Sequence, residues 1–141
     1  MQIPASPSFR LDGKRALVTG AGRGIGVAAA FALAEAGAHV TLLARTQSEV
    51  EAAAAAIRAR GQQAEALVLD VTDLEAMQRA IAAAGPFGIL LNNAGTNRPK
   101  PLVEVTIEDF DAIMALNVRA AYFVAQAVAR RLIESKQAGS I

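Results

Sequence analysis

Leu17-Val18-Thr19-Gly20-Ala21-Gly22-Arg23-Gly24-Ile25-Gly26 decides how this chain is read. An apolar run, Ala16 to Val18, stops abruptly at glycines, and a segment rich in helix formers, Val27 to Ala36, follows. That order spells a strand, a tight turn and a helix N-terminus. Glycine lets the backbone turn sharply and lie close to a ligand. The free N–H groups and positive dipole end of a helix favour an anion. The natural guest is the pyrophosphate of a dinucleotide. A glycine-rich turn alone fits many proteins. Here a second strand ending near Ala44 completes the βαβ unit that the motif requires. A Walker A loop is excluded, because no Lys-Ser or Lys-Thr follows the glycines.

The 141 residues suit one domain with a real core, taken as residues 1–141. Apolar residues make up 53% and charged residues 19%, so the chain reads as globular rather than disordered. A net charge of +1 gives no electrostatic case for nucleic acid or a membrane as partner. The apolar stretches read as too short and too interrupted by charge to span a bilayer. Met1 to Phe9 lacks the basic start and apolar core of a signal peptide. With no cysteine and His39 as the single histidine, no metal site is expected. The expectation is a soluble cytoplasmic protein.

Strands are expected at Lys14–Thr19, Ala38–Ala44, Ala64–Leu69 and Phe87–Asn92. Helices alternate with them. The first, Gly24 to Ala36, is stopped by Gly37. Ser48-x-x-Glu51 resembles a capping box for the Ala-rich helix that Gly61 stops, and Thr72-x-x-Glu75 for a helix ending near Gly85. Thr106 starts a long helix to about Glu134, with Phe110, Ile113, Met114, Val118, Ala121 and Val124 at helical spacing. Such alternation argues a doubly wound parallel sheet, an αβα sandwich of Rossmann type, with strands in the order 3-2-1-4. Gly139-Ser140-Ile141 reads as the start of a fifth strand.

Several ordered motifs together resemble the short-chain dehydrogenase/reductase family. Thr19-Gly-x-x-x-Gly-Ile-Gly26 resembles its cofactor motif, and Asp70-Val71-Thr72-Asp73 the acidic motif after its third strand. Asn92-Asn93-Ala94-Gly95 resembles its motif after the fourth strand, and Asn117 in Leu-Asn-Val the helical Asn of its catalytic tetrad. Phe9 to Lys14 and Asn97 to Pro101 look most like the branch of gluconate 5-dehydrogenases and related sugar-acid dehydrogenases. The resemblance spans Leu11 to Ile141. The family's catalytic Ser and its Tyr-x-x-x-Lys follow the fifth strand and are not in this sequence. The expectation is therefore the cofactor-binding part of such an enzyme, inactive by itself.

The candidate cofactor residues are Gly20, Arg23, Gly24, Ile25, Gly26, Ala44, Arg45, Asp70, Val71, Asn93, Ala94 and Gly95. Ala44 stands where NAD-preferring relatives often carry Asp, the carboxylate that would accept from the ribose 2′-OH. Arg45 follows it, and a guanidinium suits a 2′-phosphate; Arg23 adds a second charge. NADP(H) is therefore expected over NAD(H). The resemblance implies that Asp70 receives the adenine amino group beside Val71. It also implies that Asn93 to Gly95 line the nicotinamide ribose, and that Asn117 disturbs its helix and holds a water in a proton relay. By spacing alone Asp70 is a turn residue and Asn117 an exposed helical Asn. Asn97, Arg98 and Lys100 are either substrate-facing or a solvated loop. Tyr122 reads as packing, since position 126 is Gln rather than the Lys of a catalytic pair.

The implied activity is the interconversion of a secondary alcohol and a ketone by hydride transfer, on a sugar acid such as gluconate. The alternatives are a 3-oxoacyl thioester reductase and a non-catalytic dinucleotide-binding module. One sheet buries one stripe of a helix, and the long helix carries apolar residues on more than one face. A homodimer or homotetramer through helix 106–134 is expected.

Overall fold

The computed structural model describes residues 8–141, so most of the expected irregular lead-in, Met1 to Phe9, lies outside the described residues. β1 (Arg15–Thr19) is the central strand, and its residues from Ala16 to Thr19 are fully buried. A strand covered on both faces needs a continuous apolar run, which this segment supplies. It pairs in parallel with β2 (His39–Ala44) on one side and β4 (Ile89–Leu91) on the other. β3 (Ala64–Val68) adds in parallel beyond β2, giving the expected order β3-β2-β1-β4. Ser140 bridges Ile89 in parallel on the outer edge of β4, with Ser140 N donating to Gly88 O at 3.0 Å and Leu90 N to Ser140 O at 2.9 Å. The expected start of a fifth strand is therefore seen.

Side-chain alternation divides the core. Val18, Val40 and Leu42 face α1 (Gly24–Glu35) and α2 (Gln47–Arg58), where Ala30, Ala34, Ala54 and Ile57 meet them. The alanine tracts let these helices approach the sheet closely. Leu17, Leu43 and Leu90 face the other way, onto Met77 and Ile81 of α3 (Leu74–Ala84) and Val124, Val128 and Leu132 of α5 (Ala121–Glu134). Burying such a side chain contributes about 1.5–3 kcal/mol.

Helix starts differ from the sequence expectation at two places. α2 begins at Gln47 behind Thr46, which makes no side-chain capping bond, so Ser48 lies inside the first turn. α3 is capped by Asp73, which accepts from Ala76 N at 3.0 Å; Thr72 instead donates through N and Oγ1 to Asp70. The α2 cap thus lies two residues before the expected Ser48, and the α3 cap one residue after the expected Thr72, whose N–H and hydroxyl turn back to Asp70. Thr106 does start its helix, in a reciprocal capping box with Asp109.

That last helix runs from α4 (Ile107–Met114) through a π segment (Ala115–Ala120) into α5. At 28 residues with mean hydropathy 1.4 it is long and apolar enough to cross a membrane by length and composition, contrary to the sequence expectation. Ala120, Val124 and Val128 on one of its faces are nevertheless fully buried on the sheet, and Arg119, Arg130 and Arg131 interrupt it. Phe110, Val118 and Tyr122 stand on another face at 57%, 52% and 64% exposure, so Tyr122 is not the packing residue its spacing implied. Its only aromatic contact among the described residues is an edge-on one with Phe123.

The loop after β4 is tied to the start of α4 through Asp109, which is buried although charged. Its carboxylate accepts from Lys100 Nζ at 2.5 Å, Arg98 at 3.2 Å and Thr106 N at 3.3 Å. Arg98 and Lys100 are therefore engaged inside the loop rather than free to meet a substrate. Lys100, the Thr106 backbone and Arg98 hold the Asp109 carboxyl well below its usual value of 3.8. A depressed folded value stabilises the protein above the unfolded value and loses that contribution as pH falls below it. Asp109→Asn should therefore lower the urea midpoint at pH 7, with the gap to the parent protein closing as pH falls below about 4.

A second prediction concerns Gly26, in the first turn of α1. A Cβ there would lie 2.3 Å from Gly20 O and 2.7 Å from Asn93 Nδ2. Alanine in a helix normally gains about 1 kcal/mol over glycine. Here overpacking should win, and Gly26→Ala should destabilise by roughly 1–3 kcal/mol in urea unfolding.

Candidate functional site

The carboxyl ends of the strands open on a cavity of about 390 Å³. It lies where chain direction across the sheet reverses, between β1 with β2 on one side and β4 on the other, the position where open α/β sheets bind ligands. Every predicted cofactor residue except Gly26 lines it, joined by Gly22, Leu43, Thr46, Glu49, Leu69 and Leu116.

The floor is the turn from β1 into α1. Gly24 has φ +59° with open space where a Cβ would stand, so the backbone presents itself to the cavity there. Gly20, at φ +65°, is constrained by protein as well: a Cβ would meet Ala94 Cα at 2.8 Å. Gly26 sits behind the floor and serves the close contact just described. The glycines thus divide their work, some facing a ligand and some letting two chain segments touch. At the N-terminus of α1, Arg23 makes no side-chain cap and the first turn holds no acidic residue. Its N–H groups and dipole remain available to an anion.

The turn is braced from β4. Asn93 Nδ2 donates to Thr19 O at 3.1 Å and Gly20 O at 3.2 Å. Thr19 Oγ1 accepts from Asn93 N and Ala94 N, both at 3.0 Å. Asn92 Nδ2 donates to Ala121 O at 2.7 Å, fixing the same strand end to α5. Thr19 and Asn92 had no assigned role in the sequence, although a Thr closing an apolar strand is a visible signal.

Two guanidiniums and two carboxylates stand around the cavity wall. Arg45 is 3.6 Å from Asp70 Oδ2. Burial pushes the Asp70 carboxyl up, but hydrogen bonds from Thr72 and the Arg45 charge outweigh it and leave it below its usual range. Arg23 is exposed, and Glu49 reaches in from α2. Nothing in the sequence singles out Glu49, because its place in the lining depends on how α2 packs over Gly22.

Asn117 is set apart from the cavity lining. It lies in the π segment and pairs with both backbone groups of Thr96: Thr96 N donates to its Oδ1 and its Nδ2 donates to Thr96 O, each at 2.9 Å. This bond joins the helix to the loop immediately after Gly95. A π segment interrupts the regular main-chain bonding of a helix and often marks a functional position.

The chain resembles known proteins along nearly its whole length. A profile for short chain dehydrogenase matches residues 14–141. Gluconate 5-dehydrogenase of Gluconobacter oxydans is 46% identical over 129 residues, covering 89% of this chain and 50% of that protein. Sorbitol dehydrogenase of Cereibacter sphaeroides is 42% identical over 137 residues, covering 94% of this chain and 52% of that protein. The crystal structure of a gluconate 5-dehydrogenase from Burkholderia cenocepacia, in complex with NADP and tartrate, superposes with a TM-score of 0.87 at 40% identity, covering 94% of this chain and 54% of that one. The chain spans about half the length of the curated relatives it matches. With the profile matched from Lys14 to Ile141 and a glycine turn braced by Asn93, the chain belongs to the short-chain dehydrogenase family.

Proposed function

We propose that this chain binds NADP(H) in preference to NAD(H) and serves an oxidoreductase that interconverts a secondary alcohol and a ketone, with a sugar acid such as gluconate as substrate. The observation that carries cofactor binding is the open helix N-terminus of α1 at Gly24, facing the cavity at the sheet's switch point. A pyrophosphate fits a backbone cradle whose helix has no side-chain cap and no acidic residue in its first turn. When bound, the dinucleotide supplies the hydride donor or acceptor.

In this assignment Gly20, Gly24 and Ile25 meet the pyrophosphate side. Arg45 and Arg23 meet a 2′-phosphate, and the end of β2, Ala44, supplies no carboxylate of its own to accept from a free ribose hydroxyl. Asp70 and Val71 take the adenine, and Asn93, Ala94 and Gly95 the nicotinamide ribose. Asn117 uses one side-chain donor and one acceptor to tie the π segment to Thr96, and this bond would set where the segment stands for a proton relay. The sugar-acid substrate is supported by the gluconate 5-dehydrogenase relative, and the sorbitol dehydrogenase relative supports the wider class of polyhydroxy substrates.

NADPH should bind more tightly than NADH in a fluorescence titration. Arg45→Gln should weaken NADPH by about tenfold, as loss of a partly screened charge-assisted hydrogen bond would, and leave NADH within a factor of two or so. Tighter NADH binding by the unaltered chain would overturn the preference.

We further propose that the exposed stripe Phe110, Val118 and Tyr122 is covered by a second copy of the chain, as a homodimer or homotetramer. Exposed apolar residues repeating along one helix face mark an association surface. Sedimentation at micromolar concentration should show the oligomer, and Tyr122→Glu should shift it toward monomer. A clean monomer before substitution contradicts the assignment.

A further inference from the structure

We propose that Glu49 sets how sharply the pocket discriminates between dinucleotides with and without a 2′-phosphate, an inference that rests on the dinucleotide binding proposed above. In a βαβ nucleotide site an acidic residue at the end of the second strand accepts from the ribose 2′-OH, whereas an Arg takes a 2′-phosphate. Here that strand ends in Ala44, a methyl group. The carboxylate comes from the neighbouring helix instead. Glu49 stands in the first turn of α2, half-buried, and lines the cavity with Ala44, Arg45 and Arg23. Its Oε2 lies 3.1 Å and the Ala44 Cβ 3.3 Å from one and the same point, the place a Cβ on Gly22 would occupy. Glu49 and the short Ala44 side chain therefore border the same space over Gly22, and Glu49 brings to it the carboxylate that Ala44 lacks.

The charge on Glu49 is not spent on a neighbour. Among the described residues no Lys, Arg or His nitrogen lies within 4.0 Å of its carboxylate, and Arg45 turns to Asp70 instead. An acceptor without a cation partner attracts a ribose hydroxyl and repels a phosphate at the same place. Arg45 and Arg23 pull the other way. The two guanidiniums favour the 2′-phosphate, and Glu49 narrows that preference so that NAD(H) remains a usable ligand. The anion cradle at Gly24 is indifferent to this choice, because both dinucleotides carry the pyrophosphate.

The test is calorimetric titration of NADP+ and NAD+ into the unaltered chain and into Glu49→Gln and Glu49→Ala. Removing the charge should tighten NADP+, and removing the acceptor in Glu49→Ala should also weaken NAD+. The ratio of the two dissociation constants should move toward NADP+ by roughly three- to tenfold, the range of a partly exposed charge interaction. The gain for NADP+ should shrink at higher salt. Glu51→Gln removes the same charge from the same helix but faces away, bonded to Gln47, and should leave the ratio unchanged. An unchanged ratio in both Glu49 variants, or an equal shift in Glu51→Gln, overturns the proposal while leaving dinucleotide binding intact. Failure of the unaltered chain to bind either dinucleotide overturns both.

Discussion

Two segments far apart in sequence touch at one point, and the site depends on that contact. The end of β1 and the end of β4 approach so closely that Gly20 and Gly26 have no room for a methyl group. Asn93 fills the gap by donating to two carbonyls, Thr19 O and Gly20 O, while the Thr19 hydroxyl accepts two N–H groups in return. In a buried junction each of these groups would otherwise be an unpaired polar atom, costing about 1–3 kcal/mol. The network therefore specifies one geometry for the turn. That geometry holds the α1 N-terminus open at the sheet's switch point, where an anion can use it.

From this fixed floor the cavity wall differs in character. The floor is backbone held by hydrogen bonds; the wall near β2 and β3 is made of long charged side chains. Arg45 is bound only loosely to Asp70, at 3.6 Å and with its side chain 70% exposed, so the pair is worth little in the ligand-free protein. Such an arm can be redirected to a ligand at low cost. Beyond the floor on the other side, the loop after Gly95 is tied twice, to the π segment through Thr96 and Asn117 and to α4 through Asp109. A recognition wall free to move and a loop that is anchored suit a site in which ligand charge is sorted at one end and a reacting group is positioned at the other.

The strand order and the glycine turn could be read from the chain because they rest on local signals: continuous apolar runs, glycines at a strand end, and alternation of elements. Asp70 and Asn93 to Gly95 read locally as turn residues, and only the family resemblance pointed to them. Ser48 and Thr72 are not the caps because neighbouring residues take that position: Thr46 precedes α2, and Asp73 caps α3 while Thr72 bonds back to Asp70. Tyr122 looked like packing because spacing gives a helix face but not what covers it. Arg98 and Lys100 were left between a substrate-facing and a solvated role because their partner, Asp109, is about ten residues further along and on another element. Glu49 escaped notice for a similar reason: its reach toward Ala44 depends on the way α2 folds back over Gly22.

The central claim is that the braced turn binds a dinucleotide through backbone groups. Amide chemical shifts of the isotopically labelled chain, followed during titration with NADP+, test it residue by residue. Saturable shifts should concentrate at Gly20 to Gly26, at Arg45, at Asp70 and Val71, and at Ala94 and Gly95, with α3 and the outer face of α5 unmoved. Absence of saturable shifts at Gly24 and Ile25, or shifts confined to the exposed stripe of Phe110, Val118 and Tyr122, would contradict it.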